Sequence, residues 1–131
     1  MANTNITAVA SIYGKTTYYT PQVATPVVLL ANAAGSSSIC KINQIIASNI
    51  HSANAITASV WLYTNGAVSQ GSVPTNGVSH CIANAISVPV NSSLITVDKT
   101  TAIYLEEGTS IVVSAGTANG ITYSISYELI T

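Results

Sequence analysis

Apolar and polar residues alternate with a period of two along two stretches of the chain. In residues 56–63 the even positions are aliphatic, and the odd positions carry two hydroxyl side chains, Trp61 and Tyr63. In residues 121–127 the odd positions are Ile or Tyr and the even positions are Ser or Thr. Successive side chains of a strand point to opposite faces, so both stretches predict half-buried β-strands. Asn65-Gly66 follows the first stretch as a turn signal.

Six more short apolar runs lie between clusters of Gly, Pro, Asn and Ser, and each predicts a further strand. They are Val27 to Ala31, Ile39 to Ala47, His80 to Val88, Leu94 to Val97, Ala102 to Leu105 and Ile111 to Ala115. Seven or eight short strands in one small domain predict an all-β fold, an antiparallel β-sandwich or jelly roll. Periodicity does not choose between these topologies.

Residues 1–25 differ from the rest of the chain. They alternate weakly and hold three tyrosines and Pro21, with Pro26 directly after them. Because proline is confined to edges and bulges of sheets, this segment is predicted to be an extended N-terminal arm or an edge strand. We therefore divide the chain into an arm, 1–25, and a sandwich domain, 26–131. An extended arm could add to the sheet of a neighbouring subunit.

Charge is scarce in this chain. Hydrophobic residues make up 48% of the 131 residues, whereas charged residues make up 5%, with three Lys and no Arg. Polarity comes instead from 17 Ser, 16 Thr and 11 Asn. With little like-charge repulsion to keep copies apart, the composition is typical of a chain that assembles into a homo-oligomer. The three dispersed lysines argue against a nucleic-acid partner, which would need clustered cations.

No membrane partner is expected either, because no apolar run approaches the ~18 residues of a membrane span. Residues 1–5 have neither a basic nor an apolar segment typical of a signal peptide. The sequence therefore predicts synthesis in the cytoplasm, where thiols stay reduced.

Titratable groups are too few and too scattered to predict an enzyme, and no cofactor motif is present. Glu106-Glu107-Gly108 places two carboxylates side by side. Adjacent strand residues point apart, so we interpret this triplet as a solvated hairpin turn and predict no catalytic pair.

His80-Cys81, together with Cys40 and His51, supplies two Cys and two His as candidate metal ligands. The spacing matches none of the compact zinc motifs, and neighbouring strand side chains diverge. We predict no metal and expect a packed Cys81 beside an outward-pointing His80.

Aromatic residues are the candidate site. Trp61 and Tyr63 share a strand face, and Tyr18 and Tyr19 lie in the predicted arm. We predict these four as contacts with other subunits, because large rigid aromatics anchor interfaces. Two alternatives stay open: the face of Trp61 is the sandwich core, or it stacks on sugars.

Several segments from residue 14 onward resemble a family of small virion structural proteins of tailed bacteriophages, including cyanophages. They are Gly14-Lys15-Thr16, Lys41-Ile42-Asn43, Ala47-Ser48-Asn49-Ile50, Ser87 to Leu94, Ile103 to Ile111 and Ser126 to Ile130. The resemblance implies a β-sandwich subunit of the virion, used in capsid decoration or in the neck or tail, whose partners are itself and other virion proteins. A carbohydrate-binding module on a tail or fibre, with a host glycan as partner, is the alternative. A bacterial adhesin is a third interpretation.

Overall fold

Nine β-strands build the protein in a computed structural model that describes residues 5–65 and 68–131. Residues 1–4 of the predicted arm and Gly66 of the predicted turn therefore lie outside the described residues. The strands are β1 (Ile12–Tyr19), β2 (Val27–Asn32), β3 (Ile39–Asn49), β4 (Ile56–Tyr63), β5 (Ser79–Val88), β6 (Ser93–Val97), β7 (Ile103–Leu105), β8 (Thr109–Ala115) and β9 (Ile121–Ile130). One 3₁₀ turn, Lys99–Thr101, separates β6 from β7.

The strands form two antiparallel sheets. The first sheet has the order β1-β9-β3-β6, and β7 also pairs with β3, beyond β6 along the same edge. The second sheet has the order β2-β8-β4-β5. The pairs are nested, β1 with β9, β2 with β8, β3 with β6 and β7, and β4 with β5. A hairpin rolled up in this way, with four strand positions in each sheet, is a jelly roll, one of the two predicted topologies.

The inner faces of both sheets supply one hydrophobic core. The alternation read from the sequence is confirmed: Ile56, Ala58 and Val60 of β4 are buried in the core, as are Ile121 and Ile125 of β9. The alternative that Trp61 and Tyr63 face the core is therefore wrong, since β4 turns its aliphatic face inward.

A single tyrosine ties the two sheets together across this core. Tyr123 of β9 is fully buried, and its hydroxyl donates to the Ser114 carbonyl of β8. The same oxygen accepts from the Ser59 N–H of β4 at 3.1 Å. Burial raises the pKa of Tyr123 well above its ordinary value of 10.0, so the hydroxyl remains a donor throughout the ordinary pH range.

β1 lies at an edge of the first sheet and pairs with β9 of its own chain over eight residues without a register shift. Beyond this strand, the Thr131 N–H donates to the Ser11 carbonyl at 3.0 Å, and the Ala10 N–H donates to the Thr131 carbonyl at 2.7 Å. The N-terminal segment and the last residue thus continue the pairing of β1 with β9.

Candidate functional site

The two tyrosines predicted as contacts in β1 point to opposite sides of the first sheet. Tyr18 is paired with Ser124 on the outer face and is 71% exposed. Tyr19 is paired with the buried Tyr123 and packs against the main core. Only the ring of Tyr18 is therefore presented fully to solvent.

Trp61 and Tyr63 lie on the outer face of the second sheet, in a small cluster separate from the main core. The cluster has Val28, Tyr63 and Val112 buried, and Trp61 packs against it half-buried. Tyr63 is only 8% exposed, and its hydroxyl accepts from the Gly77 N–H at 2.8 Å. The structure thus keeps Trp61 and Tyr63 together but places them on the opposite side of the sandwich from Tyr18.

A loop segment that we call the strap, residues 68–78, accounts for the burial of this outer cluster. It runs along the free edge of β2, where the Gly71 N–H donates to the Val28 carbonyl and the Val28 N–H donates to the Ser72 carbonyl. At its far end, a Cβ added to Gly77 would lie 2.8 Å from the Tyr63 ring, so glycine allows the close approach. Covering an edge strand in this way removes a site of uncontrolled pairing.

The strap also bridges the two sheets. The Gln70 side-chain amide donates to the Leu29 carbonyl of β2 at 3.0 Å and to the Thr17 hydroxyl of β1 at 3.2 Å. The sequence signal for this segment is limited to its Gly and Pro content, which indicates a loop but not its course.

Charge separates the outer faces of the two sheets. The four strands of the second sheet contain no Lys, Arg, Asp or Glu. Across their outer face, one row of registered residues runs Val28, Val112, Trp61 and Cys81. The centre of this face is apolar, and hydroxyl-bearing side chains lie around it.

Cys81 is not packed, contrary to the prediction from the sequence. It is exposed, and so is its neighbour His80. The reason is that β5 is the edge strand of the second sheet and Cys81 lies opposite Trp61 on the outer face. The pairing of β4 with β5 shifts register on both sides of Val60, which distorts β5 locally.

The outer face of the first sheet carries hydroxyl and charged groups beside exposed apolar side chains such as Tyr18 and Ile95. Hydroxyl pairs link its strands: Thr16 with Ser126 at 3.1 Å and Ser48 with Ser93 at 2.9 Å. Lys41 and Glu128 form an ion pair with an N–O distance of 3.8 Å, at about one third exposure. Exposed pairs of this kind contribute little to stability.

The residues considered for metal binding do not come together. Cys40 is buried in the main core, whereas Cys81 is exposed on the second sheet and His51 lies in the β3–β4 turn. Burial raises the pKa of the Cys40 thiol to about 11, which keeps it protonated. No group of three or more candidate metal ligands occurs among residues 5–65 and 68–131.

The Glu106-Glu107-Gly108 triplet also departs from its prediction. Glu106 is exposed, but Glu107 is buried, and its carboxylate accepts from the Ser37 N–H at 2.8 Å. The turn is not a hairpin, because β7 belongs to the first sheet and β8 to the second. Glu107 therefore fastens the β2–β3 turn to the crossover between the sheets.

Comparisons with known proteins show little. No family model matches the chain, and no curated protein matches it in sequence. One solved structure with a partly similar backbone is that of the infectious bursal disease virus Gt strain, with a TM-score of 0.42 and 10% sequence identity. The match covers 93% of this chain and 30% of the viral chain. Within the described residues, no helix has the length and apolar character needed to cross a membrane.

Proposed function

We propose that this protein is a non-enzymatic structural subunit of a tailed-bacteriophage virion, acting in capsid decoration or in the neck or tail. In this role it assembles with itself and packs against other virion proteins. It is made in the host cytoplasm and ends in the particle. The jelly roll is a fold of viral capsid proteins and of lectins alike, so the fold by itself does not select the function.

The observation that carries the proposal is the charge-free second sheet. A surface that becomes buried in an assembly pays several kcal/mol for each unpaired ion that it desolvates. The outer face around Trp61 contains no such ion, and aromatic residues surrounded by uncharged groups are typical of interface centres. The resemblance of the segments from residue 14 onward to small virion proteins supports the same role.

Stacking of a sugar on the β4 aromatics is the alternative, and the strap disfavours it at this place. A stacking platform needs an open ring face, whereas Tyr63 is buried and held by Gly77. Trp61 is half-buried, which suits an interface anchor better than a flat sugar platform.

Light scattering over a range of concentrations tests the proposal. We expect the parent chain to form an oligomer, with a solution mass of at least twice the 13.4 kDa of one chain. Cys81→Lys places a charge beside Trp61 on the exposed part of the second sheet and should lower that mass. Ile95→Lys is the matched control, because Ile95 is 54% exposed on the outer face of the first sheet.

Two results would contradict the proposal. A parent chain that is monomeric at every concentration would remove the evidence for self-assembly. A Cys81→Lys variant that assembles like the parent, while Ile95→Lys does not, would move the interface to the first sheet.

A further inference from the structure

An open cavity of about 520 Å³, lined by polar and charged residues, lies on the outer face of the first sheet. Its lining comes from three elements that are distant in sequence: β3, β9 and the turn between β6 and β7. The lining residues are Asn43, Gln44, Asp98, Lys99, Thr100 and Ser126. The volume lies within the range of small-molecule sites, which is roughly 300–1,000 Å³.

A β-bulge builds this cavity. The register of β3 against β9 passes from Ile42 paired with Tyr127 to Gln44 paired with Ser126, so Asn43 is an extra residue. Adjacent strand residues normally point to opposite faces, but here Asn43 and Gln44 line the same cavity. Bulges occur where a strand redirects a side chain, often next to a functional site.

The edge of β3 is also interrupted at this point. β7 pairs with residues 40–42 and β6 with residues 45–48, which leaves Asn43 and Gln44 between them. The turn that carries Asp98, Lys99 and Thr100 spans this gap and forms one side of the cavity.

Two polar atoms at the cavity have no hydrogen-bond partner within the described part of the chain, and the first belongs to Asn43. Asn43 Oδ1 is buried without a hydrogen bond, and it is the one such side-chain atom among residues 5–65 and 68–131. Elsewhere, the buried amides of Asn32 and Asn49 each make two hydrogen bonds through Nδ2. An unpaired buried acceptor costs stability, and a ligand hydroxyl in the adjacent cavity would supply the donor that it lacks.

Asp98 contributes a second acceptor. Its Oδ1 accepts from the Thr100 N–H at 2.8 Å and from the Thr100 hydroxyl at 2.5 Å. Within the described residues these hydrogen bonds all fall on Oδ1, so Oδ2 is left for a ligand. The hydrogen bonds from Thr100 lower the pKa of Asp98, which keeps the carboxylate ionised at neutral pH.

The chemistry of this lining selects a class of ligand. Amides and hydroxyls both donate and accept, Asp98 accepts and Lys99 donates, so the set matches a molecule whose groups do both. The opposite charges of Asp98 and Lys99 cancel, which disfavours an ionic ligand. A calcium ion would need six to eight oxygen ligands, and Lys99 would repel it. We infer that this cavity is a binding site for a neutral saccharide, whose hydroxyls pair with Asn43, Gln44 and Asp98.

Rotation of Asn43 about its Cβ–Cγ bond, a torsion with a broad range, would turn Oδ1 toward such a hydroxyl. The site lies on the opposite face of the sandwich from Trp61. It therefore goes beyond the proposed assembly role and is tested separately from it.

The test is an NMR titration of the full ¹⁵N-labelled chain with four neutral sugars, glucose, galactose, mannose and N-acetylglucosamine, each in a separate series, and with glucuronic acid as a charged comparison. We expect at least one of these sugars to produce saturable shifts in the side-chain amides of Asn43 and Gln44 and in the backbone of residues 98–100. Asn43→Ala and Gln44→Ala should each weaken binding by about tenfold, as expected for the loss of one good hydrogen bond. Asn84→Ala, at an exposed amide on β5, is the matched control and should bind like the parent.

Stability separates a binding role from a structural one. Asn43→Ala removes an unpaired buried acceptor, so its urea midpoint should equal or exceed that of the parent, even though it binds sugar more weakly. A lowered midpoint that parallels the binding loss would make Asn43 structural and overturn the inference. So would the absence of saturable shifts with all four sugars, shifts centred on Trp61, or stronger binding of glucuronic acid than of glucose.

Discussion

The outer faces of the two sheets solve the same problem with different chemistry. Because the chain has only seven charged residues, charge repulsion does little to prevent uncontrolled association of either face with other copies. The first sheet or the turns next to it hold all seven, together with cross-strand hydroxyl pairs. The second sheet has none, and the strap covers part of its apolar centre instead.

This difference shows that a low average charge does not mean a uniform surface. In the first sheet, hydroxyl pairs and the ion pair of Lys41 with Glu128 lie beside exposed apolar side chains such as Tyr18 and Ile95. In the second sheet the apolar row from Val28 to Cys81 is half covered by the chain itself, and the exposed remainder is free of ions. The two faces therefore differ in charge, although both expose some apolar side chains.

The strongest way to break this comparison is to place a carboxylate at the centre of each face. Val112 of β8 and Ser124 of β9 occupy the second strand of their respective sheets. Val112 belongs to the outer cluster and is only 1% exposed. Val112→Asp should therefore lower the free energy of unfolding by about 3 kcal/mol or more. Ser124→Asp can reach solvent and should cost about 1 kcal/mol or less. Urea denaturation measures both, and equal losses would show that the two faces do not differ in burial.

A smaller effect is expected from the hydroxyl that links the sheets. Tyr123→Phe keeps the buried ring but leaves the Ser59 N–H and the Ser114 carbonyl without this partner, which should cost about 1–3 kcal/mol. Tyr127→Phe is the matched control on the same strand, because Tyr127 is half-buried on the inner side. Removal of its hydroxyl should change the free energy of unfolding by less than about 0.5 kcal/mol. If both variants unfold at the same urea concentration as the parent, the sheets do not depend on this link.

The smallest effect concerns acid. Hydrogen bonds from Thr100 lower the pKa of Asp98 below its ordinary value of 3.8, so the unfolded chain binds more protons than the folded chain just below that pH. The stabilisation is therefore complete at neutral pH and is lost as the pH falls through the folded pKa.

Asp98→Asn retains an oxygen acceptor for the Thr100 N–H and removes the titration. Between about pH 7 and about pH 3, the urea midpoint of the parent should fall further than that of Asp98→Asn. An identical fall in both proteins would mean that acid acts through the other carboxylates, all of which also lie on the side of the first sheet.

The strands could be read from the sequence because their cause is local. The alternation in residues 56–63 predicts both the strand and its buried face, and Ile56, Ala58 and Val60 are indeed in the core. The nested pairing could not be read in the same way. It depends on contacts between strands as distant as β1 and β9, which no local period encodes.

The features missed at the candidate sites share this origin. Cys81 is exposed because of the place of β5 at an edge, and Glu107 is buried because a turn 70 residues away offers the Ser37 N–H. Asn43 lines a cavity because of a bulge that follows from pairing with β9. In the sequence, Lys41-Ile42-Asn43 is distinguished only as part of a resemblance, and no local pattern predicts the bulge at Asn43.

The hydrogen bonds between Ser11 and Thr131 have a practical consequence for engineering. Because they bring the two ends of the strand framework to one corner, a short peptide could join them while the chain is opened at an exposed turn such as residues 116–119. Such a circular permutant would keep all the strand pairs described above. For the same reason, a reporter joined directly before Ser11 and one joined directly after Thr131 would leave the sandwich from the same corner.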